Sequence, residues 1–353
     1  MGKIKIGIVG TGSISNYHMK AYRNNADAEI YAVCDMNAQR AEAQAAAFGA
    51  SQVYTDYAGM MADPQVDAVS ICTWNNTHAP FAIQALEAGK HVLVEKPLCM
   101  TVQEALEVEK AVMKSGKQLQ IGYVRRYDPN AAMLKGWITA GEVGSIYYAK
   151  ASSIRRLGNP GGWFADKTRS GGGPLIDLGV HIIDLCWYLM GRPKVKSVSG
   201  NTYKKLGQRN HVQGLSFYKS ADYDAESNTV EDMANALIRF ENGASLMVDV
   251  SFTLHARRDE SSVRLYGDKG GLEIDPEVLL ISEKSNTIVT VTPQTDHASF
   301  DADQAFQNEI DHFIACCRED RSPLSPVQDG VEMMKILCGI YESAEQGREI
   351  VFD

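Results

Sequence analysis

The chain has 353 residues and a formal net charge of −9, a length that suits two domains and a charge that argues against nucleic acid or an anionic membrane as partner. With 44% hydrophobic and 22% charged residues it has the make-up of a globular protein able to bury a core. No apolar run is long enough to span a bilayer, and the N-terminus lacks a secretory pattern, so a cytoplasmic location is expected. Seven cysteines (Cys34, Cys72, Cys99, Cys186, Cys316, Cys317 and Cys338) sit mostly in apolar runs without paired metal-type spacing. Buried free thiols and no metal site are the expectation.

Taken in chain order, Ile4 to Val9 reads as a short strand that runs into Gly10-Thr11-Gly12-Ser13-Ile14-Ser15. A helix from about Ile14 to Asn24 follows, then a strand from Ala28 to Cys34 that ends in Asp35, then an Ala-rich helix from Ala38 to Phe48. An apolar run at Val66 to Cys72, a helix from about Ala79 to Ala88 and a strand at His91 to Val94 continue the alternation. Strands and helices at this spacing imply right-handed crossovers and a parallel sheet.

The glycine turn is the first site with chemistry in it. Gly10 and Gly12 let the chain turn tightly while amides face a pyrophosphate, where a β-carbon would obstruct approach. Ser13 and Ile14 open the helix behind that turn. The third position of the pattern is Ser15 rather than Gly or Ala. A carboxylate at Asp35 can accept both ribose hydroxyls of NAD and repel a 2′-phosphate. NAD is therefore expected, with NADP kept open by Arg40, which could reach a phosphate.

Farther on, β-rich runs appear at Ile146 to Ile154, Val195 to Asn201, Ala234 to Phe240, Ala244 to Leu254 and Ser262 to Gly267. Several alternate apolar and polar, which predicts a sheet with unequal faces. Ala305 to Cys317 and Val327 to Ser343 read as amphipathic helices. Between them and the first third lies the glycine-rich stretch Arg155 to Gly173, carrying Arg155 and Trp163. Aromatics that stack on a sugar face beside hydrogen-bonding cations would suit a carbohydrate; an oligomer-contact or surface loop would look the same.

Three patterns occur in order beyond the glycine turn: Trp74-Asn75-Asn76-Thr77-His78, Glu95-Lys96-Pro97, and the run GGGPLIDLGVHIID from Gly171 to Asp184. With them the chain resembles the Gfo/Idh/MocA family, from Ile4 to Val351. The resemblance implies an α/β protein with an N-terminal Rossmann dinucleotide-binding domain, 1–122. It also implies a C-terminal α+β domain, 123–353, whose large, mainly antiparallel open sheet forms the interface of a homodimer or homotetramer. Its pattern assigns Lys96, Asp177 and His181 to catalysis, Thr73, Trp74, Asn75, His78 and Glu95 to the neighbourhood of the cofactor, and Tyr123 and Arg125 to a substrate cleft.

Those assignments make chemical sense. Removing a hydride from an alcohol carbon requires loss of the hydroxyl proton, so a base with a pKa near working pH is needed. An imidazole such as His181 meets that requirement unperturbed. Asp177, four residues earlier on a helix, would share its face. Lys96 would polarise the oxygen from the carboxyl end of the sheet. The expected activity is NAD(P)-dependent hydride transfer on a secondary alcohol of a polyol, cyclitol or sugar. An NAD-assisted glycosidase, an imine-type reductase and a non-catalytic dinucleotide-binding regulator remain open at this point, as does the isomer of the Lys96–Pro97 bond.

Overall fold

The computed structural model describes residues 2–295 and 299–352, and the chain divides into two units, Met1–Tyr127 with Ala302–Met334 and Asp128–Asp301 with Lys335–Asp353. The first opens with β1 (Ile4–Val9), α1 (Ser13–Asn24), β2 (Ala28–Cys34), α2 (Ala38–Phe48), β3 (Gln52–Tyr54) and α3 (Tyr57–Ala62). It continues with β4 (Ala68–Ile71), α4 (Asn75–Glu87), β5 (His91–Glu95), α5 (Val102–Ser115) and β6 (Leu119–Gly122). Local chemistry sets several of these ends. The Asn37 side chain accepts from the Arg40 amide to start α2, and left-handed Gly49 closes it. A reciprocal Thr101–Glu104 capping box opens α5.

The six strands lie in the order β3-β2-β1-β4-β5-β6, and every neighbouring pair is parallel. The order reverses between β1 and β4, and in such sheets ligands sit outside the carboxyl ends of the strands at that point. α4 begins at Asn75, one turn earlier than expected from sequence, because the helix carries Pro80 in its interior. Proline removes one N–H, and reading it as a helix start hides the turn before it.

The second unit contains α6 (Pro129–Thr139), β7 (Ile146–Ile154), a short α7 (Lys167–Ser170) and α8 (Val180–Leu189), the last entered through a π-helical turn at Leu175–Gly179. The strands β8 (Val195–Tyr203), β9 (Met233–Phe240), β10 (Ser245–Ser251), β11 (Glu260–Gly267), β12 (Gly271–Ile274), β13 (Leu279–Lys284) and β14 (Thr287–Val291) follow. After α9 (Ala302–Glu319) and α10 (Val327–Gln346) the chain ends on β15 (Ile350–Val351). The nine-stranded sheet runs β14-β13-β12-β11-β7-β10-β9-β8-β15, antiparallel throughout except for the parallel pair β7 and β10. Ala149, Ala151, Leu246, Val248 and Val250 are buried on one face, while Met247 on the other is 37% exposed.

The division differs from the expected boundary at residue 122. The first unit runs on to Tyr127 and takes back α9 and the start of α10. Ile310, Phe313 and Ile314 of α9 are buried in one core with Ile6, Ile8, Met19 and Tyr22, and Tyr17 stacks on Phe306 at 4.9 Å. Burying each such side chain is worth about 1.5–3 kcal/mol, so the apolar stripe, not chain order, decides which sheet α9 joins.

Candidate active site

At the end of β1, Gly10 adopts φ +82, and a β-carbon there would lie 2.7 Å from the Cys72 carbonyl oxygen. Both the turn and the close approach to the end of β4 therefore demand glycine. Gly12 is different: a β-carbon on it would meet nothing within 4 Å. It caps α1 without a side-chain hydrogen bond, and no acidic residue occupies the first turn. The first amides of α1 are thus left for an anion. Ser15, the imperfect third position, donates to the Gly12 carbonyl at 2.7 Å, so a small residue satisfied by its own helix takes the place of glycine. Ser13 is exposed and Ile14 half-buried.

Asp35 closes β2 beside this turn. Its carboxylate accepts from the Thr11 amide at 2.8 Å and hydroxyl at 2.9 Å, from the Asn37 amide at 2.9 Å, and from Arg40 at 2.7 and 3.2 Å. Burial alone would raise its pKa, but the Arg40 guanidinium and the Thr11 and Asn37 donors outweigh that and hold the carboxyl below its ordinary value. The residues present fit a dinucleotide: uncapped amides and an open glycine for the pyrophosphate, an ionised carboxylate for the ribose.

The ends of β4 and β5 supply the next cluster. Thr77 donates from its hydroxyl to Thr73 Oγ1 at 2.7 Å, and Trp74 caps α4 half-buried. Asn75 is buried. His78 has no exposed surface. Its Nδ1 lies 2.7 Å from the Pro97 carbonyl and its Nε2 3.1 Å from that of Thr73. The ring therefore sits between the Thr73 corner and the Lys96–Pro97 corner. Burial depresses its pKa, and the two carbonyls beside the ring oppose that shift. Glu95 accepts from His18 at 2.8 Å and from the Lys96 amide at 3.2 Å. Room for that carboxylate comes from Gly122 on β6, where a β-carbon would lie 3.2 Å from it. Lys96 itself is half-buried at the carboxyl end of the sheet, and the Lys96–Pro97 bond is cis.

Tyr123, expected in a substrate cleft, is 1% exposed, with the Arg126 guanidinium 5.0 Å from its ring centre. Arg126 in turn pairs with Asp329 at 2.5 Å inside the protein. Arg125 is half-buried.

In the second unit Asp177 lies within the π turn and His181 one turn later on α8. Both are half-buried, whereas Leu175, Ile176, Gly179, Val180, Ile182 and Ile183 are buried. π turns inside helices are frequent at functional sites. The turn is held by Glu231, which sequence reading missed. Its carboxylate accepts from the amides of Gly173 and Leu175 at 3.0 and 3.2 Å and from the Tyr341 hydroxyl at 2.8 Å. Arg155 donates to the Gly158 carbonyl at 3.3 Å, and Trp163 packs on Phe164 with ring centres 3.9 Å apart. The Arg155 to Gly173 stretch is thus ordered, by a 3₁₀ turn at Gly162–Ala165 and by α7.

Residues 4–123 match the model of an oxidoreductase family with an NAD-binding Rossmann fold, and residues 135–352 match that family's C-terminal alpha/beta domain. The chain is 31% identical over 350 residues to D-glucoside 3-dehydrogenase of Escherichia coli, covering 98% of this chain and 97% of that one. It is 28% identical over 356 residues to scyllo-inositol 2-dehydrogenase (NAD(+)) of Bacillus subtilis, covering 99% and 97%. An oxidoreductase domain protein from Kribbella flavida has the same fold, with TM-score 0.88, 24% identity and full coverage of both chains.

Proposed function

The chain belongs to the Gfo/Idh/MocA family of NAD-dependent oxidoreductases, and from that premise we propose that it oxidises a secondary alcohol on a sugar, glycoside or cyclitol ring. The observation that carries the reading is the pairing of an uncapped α1 at the Gly10–Gly12 turn with the ionised Asp35 beside it. Relatives acting on a D-glucoside and on scyllo-inositol supply the substrate class. Because they are dehydrogenases, the glycosidase, imine-reductase and regulator readings are disfavoured.

NAD, when bound, supplies the hydride acceptor. The α1 amides would hold its pyrophosphate and Asp35 its adenosine ribose. His181 takes the substrate hydroxyl proton as the C–H bonding pair leaves the same carbon, so a C=O forms and no charge is left on oxygen. Asp177 stabilises the imidazolium, and the Lys96 ammonium donates to the reacting oxygen as negative charge builds on it. In the reducing direction the same groups work in reverse. We further propose a homodimer or homotetramer joined through the outward face of the nine-stranded sheet, where Leu237 pairs with Met247 across strands and Tyr148 stacks on Tyr266 at 5.5 Å.

The test is a panel of inositols, aldoses and glycosides with NAD and with NADP, followed by NADH absorbance. Lys96→Ala and His181→Ala should each lower kcat by about 10²-fold or more while NAD binding survives. Full turnover in both variants would remove the mechanism.

A further inference from the structure

Wholly inside the first unit, beneath the Glu95–Lys96 corner, three titratable side chains from separate elements meet: His18 of α1, Glu95 of β5 and Glu309 of α9. One nitrogen or oxygen of each lies within 4.8 Å of the others. His18 and Glu309 are 0% exposed and Glu95 6%. His18 Nε2 is 2.8 Å from Glu95 Oε1, and its Nδ1 is 3.1 Å from Ser70 Oγ, which bonds the Tyr22 hydroxyl at 2.9 Å. Neither carboxyl oxygen of Glu309 has a hydrogen-bond partner among the described residues.

Charge counting decides where the protons reside. With both acids ionised the site would hold a net negative charge even with His18 protonated, and an unpaired buried charge is the costliest outcome. Glu95 has the His18 ring and the Lys96 amide to hold its charge; Glu309 has no such donor. A divalent cation would also neutralise the site, but ligands sharing a tetrahedral metal at about 2.0–2.2 Å stand roughly 3.4 Å apart. The 2.8 Å His18–Glu95 separation is that of a hydrogen bond.

We propose that Glu309 is a neutral, proton-holding acid that leaves Glu95 the single anion paired with His18, and that His18 and Glu309 are thereby positioning residues for Glu95 and the main chain at Lys96. The groups that sense Glu309 are His18 and Tyr22 of α1, Cys72 after β4, Glu95 of β5, and Tyr127. Burial and the Glu95 charge push its acid well up, opposed only by His18. Burial opposes charge on His18, yet Cys72 and Glu95 outweigh it and raise its pKa. The positioning role rests on the function proposed above; the proton on Glu309 does not.

Stability against pH tests the proton. An acid whose folded pKa is raised favours the native state below its unfolded value, about 4.3, and that advantage is lost as pH rises toward the folded pKa. Relative to Glu309→Gln, the wild-type unfolding constant should therefore rise about tenfold per unit as pH climbs above about 5 toward the raised folded pKa. Glu309→Leu gives the same comparison should the glutamine variant misfold. Parallel curves would mean that Glu309 is charged and overturn the proposal; so would zinc retained stoichiometrically after dialysis. For positioning, His18→Leu should lower kcat about tenfold or more with NAD affinity little changed, and His18→Gln, which can still donate to Glu95, should recover most of it. Equal kcat in all three proteins would sink that role.

Discussion

Replacing Asp35 tests the cofactor reading most directly, because the structure separates its two jobs. Its carboxylate supports the glycine turn through Thr11 and is bridged by Arg40, whose side chain is 48% exposed. Two ribose hydroxyls donating to a charged acceptor are worth about 1.5–3 kcal/mol each; at a partly open site the lower end applies, about 3 kcal/mol together, or roughly 10²-fold in NAD affinity. A 2′-phosphate about 5 Å from the carboxylate would meet a repulsion of about 3 kcal/mol per unit charge at an effective dielectric near 20. Arg40, 2.7 Å from Asp35, offsets about half of this, which leaves a preference for NAD of roughly tenfold. Asp35→Ser removes the ribose acceptor and releases Arg40 for a phosphate. NAD affinity should fall about 10²-fold, NADP affinity should rise about tenfold, and the ratio should swing by about 10³. Asp35→Asn, which keeps an acceptor for Thr11 and Asn37, controls for damage to the turn, and Arg40→Ala should sharpen the preference for NAD. Binding of both cofactors is read by fluorescence titration. A folded Asp35→Ser protein with an unchanged ratio would refute the role given to this carboxylate.

The two glycines of the turn should part company. Gly10→Ala forces a β-carbon against the Cys72 carbonyl at positive φ and should cost about 2–4 kcal/mol in a urea melt. Gly12→Ala meets nothing and should leave stability within about 0.5 kcal/mol, yet weaken NAD binding measurably. Burial, then Lys117, pushes the His91 pKa down to about 4, and its Nδ1 accepts from the Gln118 amide at 3.1 Å. A lowered folded pKa gives stability that is present above the unfolded value, about 6.5, and lost as pH falls through the folded one. Thermal melts should therefore show an acid loss between about pH 6.5 and about pH 4, and His91→Gln should flatten it. Met247→Glu, on the outward sheet face, should leave the melt nearly unchanged but lower the sedimentation coefficient; an unaltered assembly would move the interface elsewhere.

The bounds of β1, β2 and α2 agree with the sequence residue for residue, because there an apolar run, a capping asparagine and a left-handed glycine act at one place. The hairpin of β13 and β14 was not legible. Its turn is Ser285-Asn286, both at positive φ, and neither residue is the glycine that normally marks such a turn. Its strands also bury little, so no alternation betrays them. The register of β15 against β8 was equally hidden, since two residues carry no periodicity.

The site divides along the same line. Lys96, Asp177 and His181 stand in motifs whose spacing is visible in one dimension, whereas His18, Glu231 and Glu309 act through partners 77, 58 and many more residues away in the chain. One signal for His18 was nonetheless present. It sits four residues from Tyr22 and three from Ser15, on the stripe of α1 that also carries Met19, and that stripe is buried. A titratable side chain on the buried stripe of an amphipathic helix needs a partner, and the strand ends facing α1 offer few polar residues. The resemblance placed Glu95 beside the cofactor through its motif, and nothing in the local spacing names His18, 77 residues away, as its partner.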